Sequence, residues 1–407
     1  MIDPLLEDRM KRIVIVPDGV GDWPLEELGG KTPLEAAKKP HLDELCHHSI
    51  LGTLKTCPDG MYPGSDVCGL SLMGYDPRAG YSGRAPLEAA NLGIVLKPGE
   101  LAFRCNLVHE ENGILTDYSA DHVSTEEADL LICELQKRLG SDVISFHTGK
   151  MYRHILLYRR ADDLAVQTDQ PHDFQGNDYR KHWPQGKGAQ LLIDLTERSK
   201  KILSAHPVNE ARIKKGKKPA NMIWLWGGGP APKLESFKEK YGISGGVISA
   251  VDLLNGLGRY VGWEIINVPG ATGYFDTDYQ AKGRYAIDAL KRLDLVFVHV
   301  EATDEAGHTG NVSEKVRAIE KIDRHLVAPV VQHLKQEKNW RLFVAPDHYT
   351  PIVKKTHVAE PVPFIFTGSD VSQASQKSYT EANANATSIK LEQGHELMAR
   401  LVHGWPR

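Results

Sequence analysis

Apolar residues along this chain fall into short runs of strand length, separated by stretches with helical spacing. Arg12 to Val16 (RIVIV) is a β-branched run that stops at Pro17-Asp18-Gly19, a turn sequence. Pro33 to Leu45 places Leu34, Ala37, Leu42 and Leu45 at helical intervals, and Ile50 to Leu54 returns to strand character. The alternation resumes with Met222 to Trp226, Gly246 to Ala250, a helix over Val251 to Val261, Trp263 to Val268 and a helix over Tyr279 to Leu290. The apolar run Leu293 to Val300 follows, and then a strand ending at Phe343-Val344. Repeated strand–helix units predict an α/β fold, a mostly parallel sheet covered by helices on both faces.

Residues from about 77 to 215 have a different character. Ser124-Thr125-Glu126-Glu127 is a capping box ahead of Leu130, Leu131, Cys133 and Leu135, and Gly140 marks the stop of that helix. Asp142 to His147 and His154 to Tyr158 pattern as strands, and Ala189 to Leu203 as an amphipathic helix. Lys214 to Lys218 (KKGKK) has the composition of a solvated linker. This section is polar and carries Arg104, Arg153, His154, His172 and Arg180. A chain of 407 residues exceeds one ordinary core. The expected organisation is a core built from 1–76 and 216–407, with a smaller α+β domain, 77–215, inserted into it. The Ala/Asn/Ser-rich piece from Ser372 to Ser388 patterns as a surface loop.

Charge and composition remove several classes of function. A formal net charge of −4 gives no reason to expect a nucleic-acid or membrane-surface partner. No apolar run reaches the length of a membrane span, and Met1-Ile2-Asp3-Pro4 leads into a charged segment with no leader-like apolar stretch. Cys46, Cys57, Cys68, Cys105 and Cys133 show no paired spacing, which argues against a disulfide framework. The expectation is a cytoplasmic enzyme acting on a small molecule. Its oligomeric state is not legible.

Candidate chemistry collects at the ends of the apolar runs. Asp347 and His348 follow Phe343-Val344 once Pro346 has stopped the strand, and His357 comes nine residues after His348. Asp304 and His308 follow the run ending at Val300, and Asp18 follows the first strand. Strand ends are where α/β sheets bind their ligands. Carboxylates with imidazoles and no cysteine suit Zn²⁺ or Mn²⁺ in a catalytic rather than a structural site. Ser65 follows Pro63-Gly64 and opens a helix, where free N–H groups favour an anion. It is either a helix cap or a nucleophile.

Asp18, Ser65, Asp304, His308, Asp347, His348 and His357 are too many ligands for one tetrahedral ion and about right for two. Two ions hold the attacking and leaving oxygens of a phosphoryl group in line, and Ser65 on one of them becomes an activated nucleophile. The pattern points to phosphoryl transfer through a phosphoserine, with sulfuryl transfer second. A non-catalytic, metal-stabilised binding protein is the bland alternative. Gly227-Gly228-Gly229 suits a simple turn or a phosphate cradle.

Seven motifs taken together resemble the alkaline phosphatase superfamily, and within it the archaeal-type cofactor-independent phosphoglycerate mutases. They are VPDGVGD (16–22), PGSD (63–66), GRAPLEAANLGI (83–94), HPVN (206–209), PGATGYFDTDYQAKGR (269–284), HVEATDEAGH (299–308) and APDHYTPIVKKTH (345–357). The resemblance implies an alkaline-phosphatase-like core and two divalent metal ions, Mn²⁺ or Zn²⁺, with Mg²⁺ a further option. Asp304, His308 and His357 would hold one ion, and Asp18, Ser65, Asp347 and His348 the other. Ser65 would take the phosphoryl group from 3-phosphoglycerate and return it to the 2-hydroxyl, with no bisphosphoglycerate needed.

The inserted domain would then close on the core. Arg104 and Arg153 would clamp carboxylate or phosphate, since Arg binds both in bidentate fashion, and Lys282 would contact the transferring phosphoryl group. Two departures stand out. Trp226-Gly227-Gly228-Gly229 replaces an expected Arg-Gly-x-Gly, and Asp117-Tyr118-Ser119-Ala120 lacks the arginines expected after the Asp. The chain is also similar to a bacterial subgroup proposed to act as homoserine kinases, which would change the acceptor and keep the metals and Ser65. No P-loop is present.

Overall fold

The computed structural model describes residues 9–406. The Met1-Ile2-Asp3-Pro4 opening lies outside them. The chain divides into two compact units, one made of Met1–Tyr81 with Lys233–Arg407 and the other of Ser82–Pro232.

The first unit is built on an eight-stranded sheet. Its β-branched strand Lys11–Pro17 is buried along its whole length. It lies between Leu295–Val300 and Trp340–Val344, parallel to both, so that Val14 stands opposite Phe297 on one side and Phe343 on the other. Gly245–Ile248 and Glu264–Ile265 extend the parallel half. Beyond Trp340–Val344, Val362–Gly368 and Ile50–Leu54 each pair antiparallel with the strand before, and Lys390–Leu391 closes the edge in parallel.

The sheet is therefore mostly parallel, as the strand–helix alternation predicts. Ile13, Ile15, Val298 and Val344 pack with Leu34, Ala286, Ile319, Leu326 and Val330 on one face. The opposite-pointing Val14, Val16, Phe297 and Phe343 are equally buried, which is why these strands read as continuous apolar runs rather than alternating ones.

Two local expectations need correction. The stretch Pro33 to Leu45 is two helices, Pro33–Ala36 and Pro40–His47. Pro40 lacks an N–H and disfavours helical geometry at Lys39, so the chain restarts there. The piece from Ser372 to Ser388 is not simply a surface loop. It contains the helix Glu381–Asn385 capped by Thr380, and the fully buried Tyr379 donates its hydroxyl to the Pro363 carbonyl at 2.9 Å.

The second unit is α+β. Leu101–Glu111 pairs antiparallel with Ile114–Asp117, Arg153–Tyr158 and Met222–Gly229, and Ile144–Lys150 pairs with Arg153–Tyr158. Helix Thr125–Leu139 starts from the predicted capping box at Ser124, and Ala189–Ser204 is the second long helix. Leu131, Leu135, Leu192 and Leu195 from these helices join Phe103, Leu107, Leu156 and Leu225 of the sheet in one core.

Met222–Gly229, expected in the α/β core, thus belongs to this unit. Its apolar composition is that of a central strand, but a strand's partner is not encoded in its local pattern. Lys214 to Lys218 is exposed and lies inside the second unit, so it does not link the two. Among the described residues no helix is long and apolar enough to cross a membrane.

Candidate metal centre

Because the three central strands run parallel, their carboxyl ends meet at one edge of the sheet. Asp18 follows Lys11–Pro17, Asp347 and His348 follow Trp340–Val344, and the helix Ala302–Thr309 after Leu295–Val300 carries Asp304 and His308. The crowding is tight enough to require glycine at position 19. Its φ is +58°, and a Cβ there would collide with Asp304 Oδ1 and Thr350 Oγ1.

Ser65 is the first residue of helix Ser65–Leu72, but it does not cap it. The cap position is Gly64, which has no side chain to accept a bond. The Ser65 hydroxyl instead lies 3.3 Å from His348 Nε2.

All seven predicted residues come together here as two adjoining groups. In one, His348 Nε2 is 3.4 Å from Asp18 Oδ1 and 3.4 Å from Asp347 Oδ2. In the other, His308 Nε2 is 3.2 Å from Asp304 Oδ2, and His357 Nε2 is 3.4 Å from Asp304 Oδ1. The His348 and His357 rings stack with centroids 3.9 Å apart, joining the groups. Ligand atoms of Asp304, His348 and His357 lie within 4.8 Å of one another, as do those of Asp18, Asp347 and His348.

The hydrogen-bond network fixes which imidazole nitrogens are bare. Thr350 donates its hydroxyl to Asp304, so its oxygen accepts from His348 Nδ1 at 3.2 Å. Nδ1 of His308 faces the Lys355 carbonyl at 3.0 Å, which can only accept. The His348 ring therefore carries its proton on Nδ1 and turns the lone pair of Nε2 toward carboxylates, while His308 donates from Nδ1 to Lys355 and from Nε2 to Asp304. The Ser65 hydroxyl donates to the bare nitrogen of His348. Burial pushes His348 down to about 4, keeping the ring neutral. Hydrogen bonding to Asp304 pushes His308 up to about 9.

Asp347 uses Oδ1 to accept the backbone N–H groups of Gly19 and His348, at 3.2 and 3.0 Å. Its Oδ2, Asp18 Oδ1 and His357 Nδ1 are buried with no hydrogen-bond partner. Burial, then the Asp347 and Asp304 carboxylates, push Asp18 well above the ordinary carboxylate range. A bare imidazole nitrogen on His348, orphaned carboxylate oxygens and excess negative charge in one pocket fit divalent cations.

The three expected substrate contacts are placed differently. Lys282 has no exposed surface. Its ammonium is 2.9 Å from Glu301 Oε2 and donates to the His299 carbonyl at 2.7 Å. A lysine so enclosed is not a phosphoryl contact. Arg104 belongs to the second unit, where its guanidinium is 3.0 Å from Glu88 and lies over the Trp226 ring at 4.1 Å. Trp226 in turn donates its indole N–H to Asn106 at 3.2 Å, so this departure is absorbed by a stacked arginine. Arg153 is half-buried beside the Tyr152 ring. Gly228 lies against the Phe103 ring and Gly229 against the Ser82 carbonyl. The glycine cluster is a close-packed strand end rather than a phosphate cradle.

Sequence reasoning missed His299, Glu301 and Thr350. His299 is the one polar position in the otherwise apolar strand Leu295–Val300, and Glu301 follows directly at the start of the next helix; a polar group on a buried strand with a carboxylate two residues on is the signal that marks them.

A family model described as 2,3-bisphosphoglycerate-independent phosphoglycerate mutase matches residues 46–209. A relative of that name from Methanothrix thermoacetophila is 47% identical over 97% of this chain and 100% of its own length. The chain belongs to the 2,3-bisphosphoglycerate-independent phosphoglycerate mutases. A relative from Geobacter sulfurreducens, described as a probable mutase of this kind, is 44% identical over 97% of this chain and 100% of its own. Among solved structures, a protein from Pyrococcus horikoshii is 30% identical with a TM-score of 0.82, covering 97% of each chain. The cofactor-independent phosphoglycerate mutase from Thermoplasma acidophilum is 28% identical with a TM-score of 0.70, covering 97% of this chain and 99% of that one. This mutase is thus an isomerase of a small phosphorylated substrate, and the non-catalytic reading is set aside.

Proposed function

We propose that this mutase interconverts 3-phosphoglycerate and 2-phosphoglycerate through a phosphoserine at Ser65, with two divalent ions. Asp304, His308 and His357 hold one ion, and Asp18, Asp347, His348 and the Ser65 hydroxyl hold the other. When bound, such ions neutralise phosphoryl oxygens and lower the pKa of a hydroxyl beside them. The carboxylate–imidazole donor set favours Mn²⁺ or Zn²⁺ over Mg²⁺, which prefers oxygen.

Ser65 supplies the nucleophile from the first turn of its helix, where the helix dipole favours the incoming anion. Its oxygen forms the new bond to phosphorus as the bond to the substrate 3-oxygen breaks, and the proton lost from Ser65 balances the one gained by that oxygen. The glycerate then offers its 2-hydroxyl, the serine–phosphorus bond breaks, and Ser65 recovers its proton. In the second unit Arg153 is the better candidate for the substrate carboxylate, since Arg104 is already paired with Glu88. All five cysteines are free, in keeping with a reducing, cytoplasmic setting.

The observation that carries this reading is the Ser65 hydroxyl, unused by its own helix and 3.3 Å from a bare His348 nitrogen. The test is an enolase-coupled assay of 3-phosphoglycerate with Mn²⁺ and no bisphosphoglycerate, run beside an assay of ATP with homoserine. Formation of 2-phosphoglycerate is expected. Phosphohomoserine without 2-phosphoglycerate would move the acceptor assignment to the amino-acid alcohol.

A further inference from the structure

Behind Asp18 runs a buried chain of charged groups that takes no part in the proposed transfer. Lys282, His299 and Glu301 expose 0%, 1% and 3% of their surface. Lys282 is 2.9 Å from Glu301 Oε2. The other oxygen, Oε1, accepts the Ala250 N–H at 2.9 Å, the Ser249 hydroxyl at 3.2 Å and His299 Nδ1 at 3.1 Å. The far nitrogen of that ring, Nε2, is 3.3 Å from Asp18 Oδ2 and 3.8 Å from Asp347 Oδ2.

Removing an ammonium and a carboxylate from water costs several kcal/mol each, and apolar residues of the same volume would serve packing as well or better. The chain is therefore informative for where it ends. Glu301, anchored by Lys282 and by its donors, accepts from His299 Nδ1 and fixes the tilt of the ring, which turns its Nε2 N–H to Asp18. Asp18 is left with its two oxygens divided, Oδ2 facing His299 and Oδ1 facing His348 at 3.4 Å. A carboxylate held from behind in this way presents one chosen oxygen forward.

We propose that His299, oriented by Glu301 and Lys282, is a positioning residue that sets Asp18 and Asp347 for the ion they share with His348. This rests on the two-ion reading above. It also replaces the phosphoryl contact expected of Lys282 with a role three groups removed from the ion, behind Glu301, His299 and Asp18.

The test is Mn²⁺ titration calorimetry with elemental analysis on metal-depleted, full-length protein. His308→Ala serves to identify which binding event belongs to the Asp304 group. Wild type is expected to bind in two events. His299→Leu should weaken the Asp18–Asp347 event by about 10–100-fold and leave the other within twofold. His299→Gln, which keeps an N–H near the Nε2 position, should recover part of the loss.

Glu301→Gln, nearly isosteric, should weaken the same event by a smaller factor, and it carries the test if His299→Leu does not fold. Two unchanged events in both His299→Leu and Glu301→Gln would overturn the positioning role while leaving the two-ion reading intact. Wild type that binds no Mn²⁺ would overturn both.

Discussion

The Lys315 ammonium lies 2.8 Å from the Asp22 carboxylate, and neither side chain is reached by solvent. Lys315 also donates to the Thr350 carbonyl at 2.8 Å, while Asp22 accepts the Ile352 N–H at 3.1 Å. The pair ties the loop that carries Asp18 to the loop that carries Asp347 and His348. Lys315→Met would leave the Asp22 charge buried and unpaired, a loss of about 3–5 kcal/mol. Urea unfolding followed by circular dichroism should show that loss. A change below about 1 kcal/mol would mean that the backbone donors to Asp22 suffice without the lysine.

Ser65→Ala should reduce turnover by several orders of magnitude, because no neighbouring hydroxyl offers itself to His348 Nε2. Mn²⁺ should still bind, since the carboxylate and imidazole donors remain. Single-turnover incubation with 3-phosphoglycerate, followed by phosphopeptide mass spectrometry, should find the phosphoryl group on Ser65 in wild type. Near wild-type rates in the alanine variant would reduce Ser65 to a helix-opening residue.

Chelation should abolish activity and leave the fold largely standing, because the sheet of the first unit is held by an apolar core that does not include the ligand side chains. Reconstitution with Mn²⁺ should restore activity and bring elemental analysis close to two ions per chain. A stoichiometry that stays at zero would rule out the ligand assignment.

The second unit should lose stability in mild acid through His154. Burial pushes this imidazole down to about 3 from its ordinary 6.5, and Nδ1 accepts the Gly149 N–H at 3.1 Å. Between those values the unfolded chain binds a proton that the folded chain refuses, so stability falls as pH drops through the window, by at most about 1.4 kcal/mol per pH unit. Above pH 6.5 the effect is absent. His154→Gln should flatten the dependence, read as urea midpoints at pH 7 and pH 5. Equal slopes in variant and wild type would show that some other group governs acid unfolding.

What was legible in the sequence, and what was not, follows from burial. Asp18, Asp304 and Asp347 stood out as candidates because each comes shortly after an apolar run, where a carboxylate has no packing reason to be. The break at Pro40 was equally visible, though periodicity alone ran a helix through it. Lys282 was misread because helical spacing does not say which lysine is enclosed, and its partner Glu301 lies on another element. His299 was hidden by its neighbours, since a buried strand looks apolar even when one position on it is not. Met222–Gly229 went to the wrong unit because pairing is decided by residues more than a hundred positions away. Tyr379 escaped notice in a segment whose small polar composition suggested exposure.

The position of Lys11–Pro17 between Leu295–Val300 and Trp340–Val344 has a consequence on the ribosome. The sheet of the second unit has all its strands once residue 229 has emerged, but the earliest described strand of the first unit has neither neighbour by then. At synthesis rates of roughly 5–20 residues per second, the wait from the end of Lys11–Pro17 to the end of Leu295–Val300 is on the order of 15–60 s. Throughout it, a β-branched apolar strand has two open edges, the template on which unfinished chains associate. Rapid production of this enzyme in a foreign host should therefore draw on holdase chaperones, and slower translation or lower temperature should raise its soluble yield.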